Sequence, residues 1–271
     1  MNETPTGIAT GFWDGLAAHL DRTYAIVDYE VRKLRRDPSE LLLRAVQPAL
    51  WLLIFGEVFT RVHVIPTGNL TYLQFLAPGI LSQSVLFIAI FYGIASIRER
   101  ELGIAFKFLV SPASRVSLVT GKALSASVRG LSQATIVYVL AVALGVNPSL
   151  NPLSILGVLI AVILGACLFA TLSMIIASLV KTQERFLGIG QLMTMPLFFA
   201  SSAIYPISIM PSWLQPVAYA NPLTYLVDAV RKLMIPASPS VFPLGVDFAV
   251  LAGVTIVLIA IESRLYPRMA Q

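Results

Sequence analysis
The apolar positions of this chain fall into long uninterrupted runs, not short alternating stretches. Alternation would predict half-buried strands, whereas about 20 consecutive apolar residues is the length a helix needs to cross the hydrocarbon core of a bilayer. Six such runs occur, at about 41–60, 73–97, 124–146, 153–180, 186–206 and 244–266. The fifth is interrupted by Gly188, Gly190 and Pro196. Ahead of the first run the period changes. Trp13, Leu16, Leu20, Tyr24, Val27, Val31 and Leu34 recur at steps of three and four, with Asp14, Asp21, Arg22, Arg32, Lys33 and Arg36 on the other side and Asp37-Pro38 as the break. That is one apolar stripe on a helix. Residues 1–40 are therefore expected to form an amphipathic helix lying in the inner membrane interface. A small soluble helical cap packed on the loops fits the same stripe.

The stretch 205–243 follows neither pattern. It is too apolar for an ordinary loop and holds seven prolines, at 206, 211, 216, 222, 236, 239 and 243. That density argues against a continuous spanning helix. Short helices over 212–219 and 223–233 are expected, dipping back into the outer leaflet as a re-entrant segment over 206–243. Non-helical backbone at that depth is tolerated only where protein buries it. A loop resting on the outer surface is the alternative, and Trp213, Tyr219 and Tyr225 suit an interfacial belt in both.

Composition supports the membrane reading. Of 271 residues, 57% are hydrophobic and only 12% charged, against about 25% charged in a soluble domain, and the mean hydropathy is +0.81. The expected class is all-α integral membrane, with the bilayer as a partner: six transmembrane helices forming one domain over 41–271. The net charge of +5 is spread over loops, not gathered in a patch, so nucleic acid is not an expected partner. Of the 19 Lys and Arg residues, 16 lie before or at the start of the first run, between the second and third runs or in the first turns of the third, between the fourth and fifth, or at and beyond the end of the sixth; only Arg61, Arg231 and Lys232 fall on the opposite side. The positive side faces the cytoplasm, which places both termini there.

No phosphate-binding G-x-x-x-x-G-K-[ST] loop, H-E-x-x-H, G-x-S-x-G or paired-carboxylate site is visible. The single cysteine, Cys167, lies within an apolar run, and the histidines are His19 and His63, so neither a disulfide nor a metal site is expected. No chain of acids and histidines crosses the spans, which argues against a proton-driven antiporter. Glu57 and Arg61 are spaced for a local ion pair. Lys122 and Arg129 are expected to snorkel to the inner headgroups, and Glu262 and Arg264 to be interfacial. Small residues four apart, Gly157, Ala161 and Gly165 and again Ala126, Gly130 and Ala134, predict close helix contacts.

One dense charged knot remains. "RERELG", from Arg98 to Gly103, follows the second run and leads into Ile104, Phe106, Lys107, Phe108 and Leu109 before Ser111-Pro112. Charges followed by apolar anchors suit a short helix gripped by another protein. A solvated loop with local ion pairs worth under about 1 kcal/mol fits equally well from these residues alone.

Taken together, RERELG, Gly121-Lys122 opening the third run, and the stretch YPISIMPSWLQPVAYANPLTYLVDAVR at 205–231 resemble the ABC type-2 permease family, in particular bacterial permeases of the daunorubicin-resistance type. The order of elements matches over nearly the whole chain. The resemblance implies the membrane subunit of an ATP-driven exporter in a bacterial or archaeal plasma membrane, moving a hydrophobic or amphiphilic substrate outward. It implies that residues 98–113 form a coupling helix, in which Arg98, Glu99, Arg100, Glu101, Phe106 and Phe108 contact a separate ATP-binding subunit. Two such subunits and two permease chains, expected as a homodimer, would make the working unit. ATP and Mg would then bind the partner, with no cofactor in this chain. The substrate route is expected along a permease–permease interface of the first, second and fifth spans, lined by Gln83, Tyr92, Gln191, Met195, Phe198 and Phe199, with Ser84, Thr194, Ser201 and Ser202 adding mild polarity. Export of a polysaccharide or lipid-linked glycan, an ATP-independent channel or transporter, and a structural anchor are the alternatives.

Overall fold
The computed structural model describes residue 32 and residues 45–62, 70–104 and 114–267. The expected amphipathic helix over 1–40, Arg32 apart, and Phe106 and Phe108 lie outside the described residues. The described chain is all helical, with no strand. Helix α1 (residues 45–62) carries a π-helical stretch at Trp51–Gly56. It is followed by α2 (Tyr72–Glu101), α3 (Arg115–Ala143), α4 (Pro152–Leu179) and α5 (Gln183–Phe199). Two short helices, α6 (Gln215–Ala220) and α7 (Pro222–Met234), precede α8 (Leu244–Leu265).

Capping side chains set the starts. Thr71 and Gln74 form a reciprocal capping box at α2, and Ser114 accepts from the Ser117 N–H at α3. Asn151-Pro152 and Asn221-Pro222 open α4 and α7 in the same way: the asparagine oxygen caps a backbone N–H, and proline takes the first helical position, where its missing donor costs nothing.

Among the described residues, four helices are long and apolar enough to cross a membrane: α2, α3, α4 and α8. Their burial differs. In the most apolar window 78% of α2 is buried against 17% of α8, so α2 is interior and α8 peripheral. Helix α4 packs against α2, α3, α7 and α8. The small-residue rows do the expected work: Gly130 of α3 faces Ala166 of α4, while Gly157 and Gly165 of α4 face Leu233 and Leu226 of α7. One glycine permits a closer approach still. A Cβ at Gly79 in α2 would collide with the backbone carbonyl of Ala203, so the turn after α5 sits directly on α2.

Several boundaries differ from expectation. The third run begins at Arg115, because Ser114 caps it. The fifth, expected over 186–206, is 17 residues long and ends at Phe199. At 1.5 Å per residue it reaches only about 25 Å. Its end is fixed from outside: the Asn221 amide donates to the carbonyls of Leu197 (2.7 Å) and Ala200 (3.0 Å). The short helices lie at 215–220 and 222–234, in place of 212–219 and 223–233.

Candidate functional site
At one pole, the charged knot is the continuation of α2, not a separate helix. Arg98 to Glu101 form the last turn of α2, and the helix stops at Leu102 and Gly103, whose φ of +68° glycine adopts without strain. Arg98 and Glu101 are exposed. Arg100 is not free: its guanidinium donates to the carbonyls of Ala177 (3.2 Å), Val180 (2.8 Å) and Lys181 (2.8 Å). These are the orphan carbonyls ending α4, where a cation also meets the negative end of the helix dipole. Glu101 accepts from the Gln183 amide at the start of α5 (3.4 Å).

Glu99 turns the other way and pairs with the Lys122 ammonium of α3. The expectation that Lys122 snorkels to headgroups is corrected: the residue is 5% exposed, and its ammonium stands 5.3 Å from the Tyr266 ring centre just after α8. Glu262 is likewise not interfacial. It is fully buried, accepts from the Ser178 hydroxyl of α4 (3.0 Å), and leaves Oε2 without a partner. The charges at this pole thus link the neighbouring ends of α2, α3, α4 and α8. Arg129 lies 5.9 Å from the Tyr92 ring centre. Glu57 and Arg61 form the expected exposed pair at 3.9 Å.

The six residues expected to line a route do not share one face. Gln83 and Tyr92 are buried in α2, and Phe198 is buried edge-on to Trp51 at 5.7 Å. Gln191, Met195 and Phe199 lie exposed on α5. Helix α5 buries only a single stripe, Phe186, Gly190, Thr194 and Phe198, four residues apart. The mild polarity is internally satisfied in part: Ser84 donates to the Ile80 carbonyl (2.8 Å), Thr194 to Gly190 (2.6 Å) and Ser201 to Phe198 (2.7 Å). An open groove of about 460 Å³ runs along α1, lined by Val46, Gln47, Leu50, Trp51, Ile54 and Phe55.

At the opposite pole, three buried ionisable side chains escaped the sequence reading, Asp228 and Arg231 of α7 and Asp247 in the first turn of α8, whose carboxylate oxygens have no hydrogen-bond partner. Arg231 of α7 is 2% exposed; it lies on the Phe75 ring (3.9 Å) and donates to the carbonyls of Ser202 (2.7 Å) and Phe75 (3.3 Å). Asp228 is fully buried and accepts from the N–H groups of Val241 (2.9 Å) and Phe242 (2.8 Å) and the Ser240 hydroxyl (2.9 Å), which fixes the loop between α7 and α8. Their spacing in VDAVR puts both on the buried side of α7, a signal that helical periodicity alone would have given.

With this geometry, residues 21–235 match the ABC-2 type transporter family. A protein of Cyanophora paradoxa named as a transport permease, ycf38, is 30% identical over 86% of this chain and 79% of its own length. A daunorubicin resistance ABC transporter permease protein of Streptomyces coeruleorubidus is 24% identical over 84% and 80%. A protein of Escherichia coli K12 named as a multidrug ABC transporter permease, YbhR, is 30% identical over 62% and 45%. The apolar helices, the proline-broken segment before the last of them and the match over most of its length together make this chain a multi-pass membrane permease of the ABC-2 type transporter family.

Proposed function
We propose that this permease is the membrane half of an ATP-driven exporter for a hydrophobic or amphiphilic substrate, driven by a separate ATP-binding chain. The observation that carries the reading is the inner pole. Arg98 and Glu101 stand exposed on a rigid helix end, and the Leu102–Gly103 turn leads straight into the apolar residues Ile104, Phe106 and Phe108. A rigid charged rim beside apolar anchors is what a groove on a partner subunit recognises. In this reading two copies of the permease and two of the ATP-binding chain assemble, ATP and Mg bind the latter, and α1 and α5 cross the plasma membrane with the other four helices. The names of the Streptomyces and Escherichia relatives favour a drug-like substrate.

The test is Phe106→Asp. Loss of a buried aromatic anchor costs about 2 kcal/mol or more, some 30-fold in affinity, and a carboxylate in an apolar groove adds to it. The variant should insert normally, retain little ATP-binding subunit on purification and export poorly. Normal assembly together with normal export would sink the proposal.

A further inference from the structure
The buried charges at the pole opposite the knot do not balance. Asp228 of α7 and Asp247 of α8 are both fully buried, and Arg231 of α7 is 2% exposed. Asp228 is well satisfied. Its carboxylate accepts the N–H groups of Val241 and Phe242 and the Ser240 hydroxyl, and the Arg231 guanidinium is near enough to offset its charge. Asp247 has neither kind of help. Both of its oxygens are buried without a hydrogen-bond partner, and the charge that acts on it is that of Asp228, which repels a second anion. The elements around it offer no cation. Helix α8 packs against α4, α7 and α3. Helix α4 has no charged residue, and the three of α3, Arg115, Lys122 and Arg129, all fall in its first 15 residues, towards the knot. The stretch 235–243 has none either. On α7, Arg231 donates to the carbonyls of Phe75 and Ser202, and Lys232 to those of Pro236 (3.2 Å) and Ser238 (3.5 Å). On α8 itself, Glu262 and Arg264 lie at the far end. Glu262 is 15 residues on, about 22 Å along the helix, so the two buried acids are separate sites. The first turn of a helix favours an anion, but no backbone N–H reaches either oxygen of Asp247. A bare carboxylate buried in this way is costly, and either a cation or a proton relieves it. A metal ion asks for several oxygen ligands, and the described residues gather no group of three metal-ligating side chains. A proton asks for one oxygen and no cavity.

We infer that Asp247 is a proton-binding site, and that the packing of α8 against α7 at this pole includes one bound proton. The inference is independent of what drives the permease. The purified full-length chain in detergent tests it in two ways. The infrared difference between the unaltered chain and Asp247→Asn at neutral pH should contain the carbonyl band of one protonated carboxyl, sensitive to heavy water, and no carboxylate band. A carboxylate band in its place overturns the inference. Thermal unfolding reads the same proton as a linkage. The unfolded aspartate ionises at about pH 3.9, so above that the folded chain binds one proton more than the unfolded chain, and its stability falls as pH rises. Between about pH 5 and pH 8 the unaltered chain should therefore lose stability relative to Asp247→Asn, by up to about tenfold in the folding equilibrium for each pH unit, until the folded acid itself ionises. Parallel curves overturn the inference. Exchanging sodium and potassium for choline at constant ionic strength should leave both chains unchanged. A loss confined to the unaltered chain would put an alkali cation at Asp247 and overturn the inference too. Asp247→Leu, also uncharged, serves the same comparison. Failure of both neutral variants to fold at any pH overturns it as well, since a neutral side chain is what the inference places there.

Discussion
Asn221 ties two helix ends together at the pole opposite the charged knot. Its oxygen accepts the Leu223 N–H at the start of α7 (3.0 Å), and its amide nitrogen satisfies the Leu197 and Ala200 carbonyls at the end of α5. One residue therefore closes two helix ends of opposite polarity, and it is 5% exposed, so water cannot replace it. Asn221→Ala removes a cap worth about 1 kcal/mol and leaves buried carbonyls unpaired at about 1–3 kcal/mol more, a total of about 2–4 kcal/mol. Asn221→Asp keeps the cap but loses both donors and sets a negative charge against the carbonyl end of α5. It should be no better than alanine, although an N-cap taken alone would tolerate it. Thermal unfolding of the purified protein in detergent would measure this. An aspartate variant as stable as the unaltered chain would mean that the two amide contacts to α5 contribute nothing.

The elements divide into two poles, and the poles can be reached separately. Ala237 is exposed in the turn after α7, and Thr182 is exposed between α4 and α5, beside the Glu101–Gln183 contact. With the positive pole in the cytoplasm, Ala237→Cys in intact cells should react with a membrane-impermeant thiol reagent, and Thr182→Cys should react only once the membrane is opened. Rapid labelling at 182 from outside would reverse the orientation or remove a crossing. The apolar runs are enough to find α2, α3, α4 and α8, because lipid imposes a length and a composition that nothing else in a sequence imitates. The helix starts were also legible, in Thr71 and Gln74, in Ser114 and in the two Asn-Pro pairs, since capping is local chemistry. The end of α5 was not, because Asn221, a residue 21 positions beyond Ala200, determines it. The same holds for the inner charges. Lys122 looks like a snorkelling lysine until Glu99, 23 residues away, is seen against it, and Glu262 looks interfacial until Ser178, 84 residues away, covers it. Charge burial is decided by partners, and partners are tertiary.

At the scale of the whole molecule, the uncovered surfaces of α1 and α5 are where the proposed second copy of the permease is expected to pack. Helix α5 packs through one stripe and leaves Leu187, Gln191, Leu192, Met195 and Phe199 outward, with Leu192 73% exposed. Its buried Phe198 meets Trp51, so the inward stripe of α5 adjoins α1, where Leu50 and Ile54 are exposed along the open groove. Lipid would cover the apolar members of this surface without a driving force for association. Gln191 is the exception. A carboxamide facing hydrocarbon loses its hydrogen bonds to water, whereas a carboxamide from a second copy restores them, which favours a protein contact at this level of the helix. Leu192, not the inward-facing Phe198, is therefore the position to test. Oxidation of a Leu192→Cys variant in native membranes should give a cross-linked dimer, while cysteine at Leu156, 52% exposed on α4, should give little. Gln191→Leu should weaken the dimer modestly, by about 1 kcal/mol or less, the range of hydrogen bonds between membrane helices. Efficient linkage through Leu156 with none through Leu192 would put the permease contact on the α4 side, and with it move the proposed substrate route away from α5.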